Sequence, residues 1–372
     1  MTGSPLQIER VTVRSIRNLE LADFAPGPRF NVISCDNGQG KTSLLESIYL
    51  AATSRSFRTS RLQEMIAHGQ DIASVRLVVG ESEGRHEQSL GIAAAGGQRQ
   101  ARIDGKRPPS LAAFAVKTPI VVFHPGEVAL SSGPSGERRK LLDRVVLHTA
   151  FARAEELLSY TRAMRARQEV LDKRGDRAAD LEEWETLMAR HGLAVVEARR
   201  DASLRLAEVA EAAFARIAAP GLVLRVRYLT NVPEDHGAFV DLLRGSRTRD
   251  RIRKAAAIGP QRDDLVLEID GKTARQVASQ GQHRAIVLSL KAAEIDVIAH
   301  ARGIRPVLLL DDVSSELDRA RTIALVTFLG DQRGQVFLTT TRPELIESEG
   351  LGGGSGRRDF VVERGVLNTA SG

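Results

Sequence analysis

A single cysteine, Cys35, stands among 372 residues. No disulfide can therefore form within the chain, and the expected setting is a reducing cytoplasm. No apolar run approaches the roughly 18 residues that a membrane helix needs, so membrane spanning is not expected. The opening MTGSPLQIERVTVRS has no apolar core of the signal-peptide kind. Cys/His clusters with zinc spacing and internal repeats are both lacking. Lysine is scarce, with 8 Lys against 45 Arg, although the formal charge is +6 and the pI about 9.7. Guanidinium groups suit bidentate phosphate contact, so the balance permits nucleic-acid binding. A genome rich in Arg and Ala codons would produce the same excess. What remains, 42% hydrophobic and 27% charged residues, is the composition of a soluble globular protein of about two domains.

Apolar alternation marks Ile8 to Ile16 and Phe30 to Ser34 as strands. Segments 71–79, 86–93 and 99–103, with a turn at Asp104-Gly105, predict an antiparallel sheet. From Glu137 to Ala219 the chain has little Gly, no Pro, and abundant Ala, Leu, Arg and Glu. DKRGDR at 172–177 splits this stretch into two predicted helices of about 35–42 residues, each on the order of 50–60 Å long. They form either an antiparallel arm or a plain helical packing subdomain. Leu222 to Leu229 then reads as a strand. Two short apolar runs, PVLLL at 306–310 and Gln335 to Thr339, have the character of strands buried on both faces of a parallel sheet. A last short strand is expected at Phe360 to Glu363, after a Gly/Ser-rich stretch.

Three motifs carry chemistry. CDNGQGKT, Cys35 to Thr42, lies between the strand FNVIS and the helical sequence SLLESIYL. Strand, loop and helix in that order make a P-loop, whose backbone N–H groups and helix dipole converge on phosphate. Cys35, Asp36, Asn37, Gly38, Gln39, Gly40, Lys41 and Thr42 are the expected nucleotide contacts. Lys41 would bridge the β- and γ-phosphates and Thr42 would ligate Mg²⁺. Cys35 occupies the position where the usual pattern has Gly. VLLLDD, Val307 to Asp312, brings two acids to the carboxyl end of a buried strand. Asp311 is the expected second Mg²⁺ ligand and Asp312 the expected base for attacking water. SQGQHR, Ser279 to Arg284, opens the helical HRAIVLSLKAAEIDVIAH. Ser279, Gln280, Gly281 and Gln282 there make either a second anion site or an ordinary N-cap.

The SQGQ segment resembles the signature of ABC ATPases, which contacts the γ-phosphate held by the opposite protomer. SSELD, Ser314 to Asp318, fits the interface loop of the same class. Asp312 stands where most transporters of that class have Glu; a side chain one methylene shorter implies slow hydrolysis. More specifically, NGQGKTSLLESIYLAATSRSFR at 37–58, GPQRDDL at 259–265, SQGQHRAIVLSLKAAEIDVI at 279–298 and RPVLLLDDVSSELDRAR at 305–321, with GERRKLLD at 136–143, resemble the RecF family of bacterial replication and repair ATPases. The resemblance covers essentially the whole chain. It implies an α/β fold: an ABC-type ATPase head, a mixed sheet with a P-loop helix, plus a helical arm or lid. The head would occupy 1–118 and 236–372, and the arm 119–235.

The resemblance further implies a cytoplasmic ATPase, weak and DNA-stimulated, that dimerises on ATP with Mg²⁺. It would bind single-stranded and gapped or junction duplex DNA and act with RecR and RecO in loading RecA. Arg55, Arg58 and Arg61 in SRSFRTSR are the expected phosphate contacts, of DNA or of nucleotide; their alternative is surface salt bridging. Two features depart from the wider ABC pattern. Thr340 stands where many ABC ATPases carry a switch His, and no glutamine-loop residue is obvious, PIVVFHPGEVAL at 119–130 being its expected place. A transporter ATPase subunit is disfavoured by the long Lys41-to-Gly281 interval and its helical insert. A turnover-free structural module is disfavoured by intact Lys41, Thr42, Asp311 and Ser279. A stub of a rod-forming chromosome protein is disfavoured by the shortness of the arm.

Overall fold

The computed structural model describes residues 4–36, 38–82, 84–218, 221–312, 334–341, 356–363 and 365–369. The chain divides into two compact units, Met1–Glu127 with Ile298–Gly372, and Val128–Val297. The segments expected from sequence were bounded at 118 and 235; the units meet after 127 and after 297.

The first unit holds two sheets. One has five antiparallel strands in the order β2-β1-β4-β5-β6: β1 Gln7–Ile16, β2 Leu19–Phe24, β4 Ile72–Glu81, β5 Gly84–Ala93 and β6 Arg99–Ile103. Alternation along β1 puts Val11, Val13 and Ile16 into the core while Arg10 and Arg14 face outward. The other sheet has six strands and is mainly parallel. Its members are β3 Phe30–Ser34, β7 Ile120–Phe123, β8 Val307–Leu310, β9 Val336–Thr340, β10 Arg357–Glu363 and β11 Val366–Thr369. The order is β11-β10-β3-β9-β8-β7, with only the β10–β11 pair antiparallel. Central β8 and β9 are buried at every position, which is why they read as unbroken apolar runs. Helix α1, Lys41–Thr53, is buried almost all round, and Leu44, Leu45 and Ile48 share one core with Val11, Leu309 and Phe337. Helix α2, Leu111–Lys117, is N-capped by Ser110. Strands β2, β7 and β11 were not foreseen.

The second unit is mostly helical. Here the sequence reading needs correction: the first arm helix is two helices, α3 Ser135–Thr149 and α4 Phe151–Arg174. Ala150, at φ −148° and ψ 61°, breaks the run. The preceding Thr149 turns its hydroxyl onto the Val145 carbonyl at 2.8 Å, a local bond of the kind that competes with helix continuation. The second, α5 Leu181–Ile217, is continuous over 37 residues, about 55 Å at helical rise. Helices α6 His236–Gly245 and α7 Arg247–Arg253 pack against this frame, and α8 spans Gln280–Arg302. Buried Arg167 bonds Glu185 at 3.1 Å and Asp250 at 2.9 Å, and Arg247 also reaches Glu185. Each buried charge has a partner, without which burial would be strongly unfavourable. Strands Leu224–Leu229 and Asp264–Ile269 pair antiparallel beside the helices. No helix among the described residues is long and apolar enough to cross a membrane.

Candidate nucleotide site and its supporting residues

Strand β3 delivers the chain to the loop at the carboxyl edge of the mainly parallel sheet, and α1 begins at Lys41. Gly38 at φ 82° and Gly40 at φ 125° have backbone that side-chain-bearing residues rarely adopt. A Cβ on Gly40 would also meet the Leu19 and Asn18 side chains at 3.1 and 3.2 Å. Asn18 clamps the loop: its amide donates to the Gly38 carbonyl at 3.2 Å, and its oxygen accepts from the Ser43 hydroxyl at 2.9 Å. Lys41 is buried, with its ammonium donating to the carbonyls of Cys35 and, at 3.2 Å, of Asp36. Cys35 is half-buried, and burial pushes its thiol pKa up. Asn37 lies outside the described residues.

Strand β8 delivers Asp311 to the same edge. Only β9 separates β8 from β3, so the two loops are about 10 Å apart at normal strand spacing. The Thr42 hydroxyl closes that gap, donating to Asp311 Oδ1 at 2.9 Å. Thr339, on the intervening strand, donates to the same oxygen at 2.9 Å and accepts from the Asp312 N–H at 2.8 Å. Burial raises the Asp311 pKa; the Thr339 and Thr42 hydroxyls act the other way by stabilising the carboxylate. Asp312 has φ 51°, a left-handed backbone that costs on the order of 1 kcal/mol or more in a non-glycine residue.

The arginines after α1 divide into two kinds. Arg58 reaches Glu46 at 3.5 Å, and that fully buried carboxylate also holds Arg17 in a bidentate pair at 2.8 and 3.0 Å and accepts from Ser56. Arg55 and Arg61 are exposed, with side chains making no ion pair among the described residues. Burial and the neighbouring Arg55 lower the pKa of Arg99, whose guanidinium holds the Ser54 carbonyl at 2.9 Å. Phe57 stacks on His124 at 5.0 Å between ring centres. His124 directly follows β7, whose Phe123 pairs with Leu310. This is the stretch where a glutamine loop was expected, and His124 is the residue there that faces the arginine segment.

In the second unit, Ser279 and Gln282 form a reciprocal capping box. The Gln282 N–H donates to Ser279 Oγ at 3.2 Å, and the Ser279 N–H to Gln282 Oε1 at 2.7 Å. Ser279 and Gln280 are exposed, while Gly281 is half-buried. Buried His283 bonds the Ser131 hydroxyl at 2.8 Å, fixing the start of α8. GERRKLLD and GPQRDDL brace one another: Arg138 pairs with Asp264 at 2.6 Å, Arg139 donates to the Asp263 carbonyl, and Arg199 joins Asp143 to Asp263. Thr340 ends β9 fully buried. Ser314 to Asp318 lie outside the described residues.

Asn18, Glu46 and Thr339 escaped the sequence reading. None lies in a phosphate motif, and Thr339 reads merely as the last residue of an apolar run.

Known proteins share this sequence pattern and fold. Residues 7–350 match the family described as the RecF/RecN/SMC N terminal domain. The chain is similar to the DNA replication and repair protein RecF of Citrifermentans bemidjiense, 34% identical over 97% of this chain and 100% of that one. It is likewise similar to the RecF of Anaeromyxobacter sp. (strain Fw109-5), 37% identical over 98% of this chain and 99% of that one. The fold superposes on a solved structure of the recombination mediator protein RecF with ATP in the RecFOR pathway, with TM-score 0.87 and 26% identity over 99% of this chain and 100% of that one. An Smc head domain from Pyrococcus furiosus shares the fold at TM-score 0.57 and 14% identity, covering 98% of this chain and 96% of that one. The architecture is that of an ABC-type ATPase head with a helical arm.

Proposed function

Because the chain belongs to the RecF family, within the proteins that share the RecF/RecN/SMC N-terminal domain, we propose that it is an ATP-driven, dimeric DNA clamp of replication and recombinational repair. The observation that carries this reading is the convergence of Lys41, Thr42, Asp311 and Asp312 on one sheet edge, through Thr339. A buried ammonium, a hydroxyl and a carboxylate beside a glycine loop are the donor set that a triphosphate with Mg²⁺ requires.

In this reading Lys41 exchanges its carbonyl partners for the β- and γ-phosphates. Thr42 and Asp311 would hold Mg²⁺, and Asp312 would orient the attacking water. Bound Mg²⁺ supplies charge neutralisation at the phosphates. Ser279 to Gln282 take the γ-phosphate held by a second copy, so that closure needs two chains. Hydrolysis is slow, because Asp312 is short, and DNA stimulates it. The DNA is single-stranded or gapped or junction duplex, with Arg55, Arg58 and Arg61 on its phosphates. RecR and RecO are the partners and RecA loading is the outcome; the relatives' place in the RecFOR pathway supports this.

Light scattering of the purified protein with ATP, ADP or no nucleotide, each followed by DNA titration, tests the reading. ATP alone is expected to give a dimer and to tighten DNA binding. A monomer in all three conditions, or DNA affinity indifferent to ATP, would sink it.

A further inference from the structure

Two of the sequence blocks, GERRKLLD at 136–143 and GPQRDDL at 259–265, contain none of the residues assigned to nucleotide or DNA. They meet at Arg138. Its guanidinium is buried and holds Asp264 in a bidentate pair, Nε to Oδ1 at 2.6 Å and Nη2 to Oδ2 at 3.0 Å. The remaining nitrogen, Nη1, donates to the carbonyls of Leu130 and Gly133 at 3.2 and 3.0 Å. One side chain therefore ties both blocks to the short helix Ala129–Ser132 and the turn after it.

A helix of four residues is too short to hold itself together. Its Leu130 carbonyl has no helical partner, because the residue four positions on is Pro134, which has no N–H. Arg138 supplies that partner, and with it the positive charge that a helix C-terminus favours. The turn is tight: a Cβ on Gly133 would meet the Ala129 carbonyl at 2.6 Å. From this fixed piece two contacts lead to the SQGQ segment. The helix Ala274–Val277 packs against it, closes with the Ala278 N–H on the Ala274 carbonyl at 2.9 Å, and runs straight into Ser279. Beyond Ser279, buried His283 bonds the buried Ser131 hydroxyl at 2.8 Å, and its N–H donates to the Ser279 carbonyl at 2.9 Å. Ser279 itself is exposed, so it is presented outward while held from both chain directions.

We propose that Arg138 is a positioning residue for the composite nucleotide site, setting where Ser279 stands to meet the γ-phosphate held by a second copy. This role rests on the two-chain reading above and adds to it a residue that touches no nucleotide itself. Stability alone does not call for such an ion pair, since apolar residues of similar volume often stabilise a fold as well or better. What the guanidinium contributes is fixed geometry. Its planar fork holds one carboxylate and two carbonyls at once, which the single ammonium of a Lys does not reproduce. A contact misplaced by about 1 Å loses much of its effect on a reaction.

The test uses the full chain and compares wild type, Arg138→Lys, Ser131→Ala and the double variant. Three quantities are measured: ATP affinity of the dilute monomer, ATP-driven dimerisation by light scattering, and hydrogen exchange at Gln282 and His283 without nucleotide. Arg138→Lys is expected to leave monomer ATP affinity unchanged and to speed that exchange. It should also raise the ATP concentration for half-dimerisation by about tenfold. Ser131→Ala, a milder change that cuts only the second link, is expected to act the same way by about threefold. The two links act in series, so the double variant should be no worse than Arg138→Lys alone. Arg247→Ala is the control for general loss of stability, because it strips a partner from buried Glu185. It should lower Tm and leave dimerisation and exchange at Gln282 and His283 unchanged. A wild type that stays monomeric with ATP would sink the two-chain reading, and this role with it. A wild type that dimerises beside an Arg138→Lys variant equal to it in half-dimerisation and exchange would overturn the role of Arg138 alone. Additive losses in the double variant would overturn it too, as would a fall in monomer ATP affinity matching the fall in dimerisation.

Discussion

Thr42 and Asp311, 269 residues apart in sequence, meet at 2.9 Å through a hydroxyl-to-carboxylate hydrogen bond. The bond joins the helix that opens the phosphate loop to the strand that carries the acidic pair. It also means that this hydroxyl and this carboxylate are brought together by sheet order and not by local sequence. Several outcomes are expected from this arrangement.

Lys41→Met should abolish ATP binding, ATP-driven dimerisation and ATP-dependent DNA binding together. The wild-type ammonium is buried against two loop carbonyls, so Met fits the space and the fold should hold. Isothermal titration with ATP and light scattering check both parts. Dimerisation with ATP at wild-type concentration would refute the assignment.

Asp311→Asn should stabilise the nucleotide-free protein while removing Mg²⁺-dependent ATP binding. Burial raises the Asp311 pKa, so the folded state holds its proton more tightly than the unfolded chain. Stability from this group is therefore present below the ordinary carboxylate value of about 4 and is lost as pH rises through the elevated value. The variant's advantage in Tm should vanish near pH 4 and open at neutral pH, by roughly 2–4 °C for each kcal/mol. Melting curves across that range check it; a variant less stable at pH 7 than wild type would count against it.

Ser279 is both helix cap and proposed partner-facing contact, and two substitutions separate these roles. Ser279→Arg loses the cap, at a cost of about 1 kcal/mol, and should block dimer closure while leaving ATP binding by the monomer nearly intact. Ser279→Asp keeps a good cap and should melt like wild type, yet still fail to close because its charge opposes the γ-phosphate. Mixing Ser279→Arg with Lys41→Met should restore one composite site per heterodimer. If Ser279→Arg lost ATP affinity as severely as Lys41→Met, Ser279 would act within its own chain.

The arginine segment should respond unequally. Arg61→Ala removes a cation with no ion pair among the described residues and should flatten the salt dependence of ATP-dependent DNA binding by about one log–log unit. Arg58→Ala also strips a partner from Glu46. It should therefore lower Tm slightly as well, since Arg17 still holds that carboxylate. Slopes unchanged in both variants would place ATP-dependent DNA binding elsewhere.

Cys35→Gly should preserve or improve ATP affinity, because the thiol is half-buried with a raised pKa and the carbonyl that accepts from the Lys41 ammonium belongs to the backbone, which the variant keeps. A large loss of affinity would reveal a contact made by the sulfur. Alkylation by iodoacetamide at pH 7 should be slower than for a free thiol, since the thiolate is the nucleophile.

The sequence by itself determined the loop, the acidic pair and the serine-capped helix. Each is a contiguous signal whose chemistry resides in backbone geometry and residue type over a few positions. It also determined the buried strands, because a parallel strand covered on both faces must be apolar throughout. It missed the split in the arm's first helix, where Ala150 breaks what composition presents as one helix, because a break set by backbone angles leaves no mark on composition. Only the tertiary structure decided that β9 lies between β3 and β8, the strands that lead to Lys41 and Asp311, and thereby that Thr339 supports both acids. It likewise decided that Asn18 clamps the loop and that Glu46 holds Arg17 and Arg58. Sheet order and long-range pairing are settled by how whole faces pack, and spacing along the chain carries no record of them.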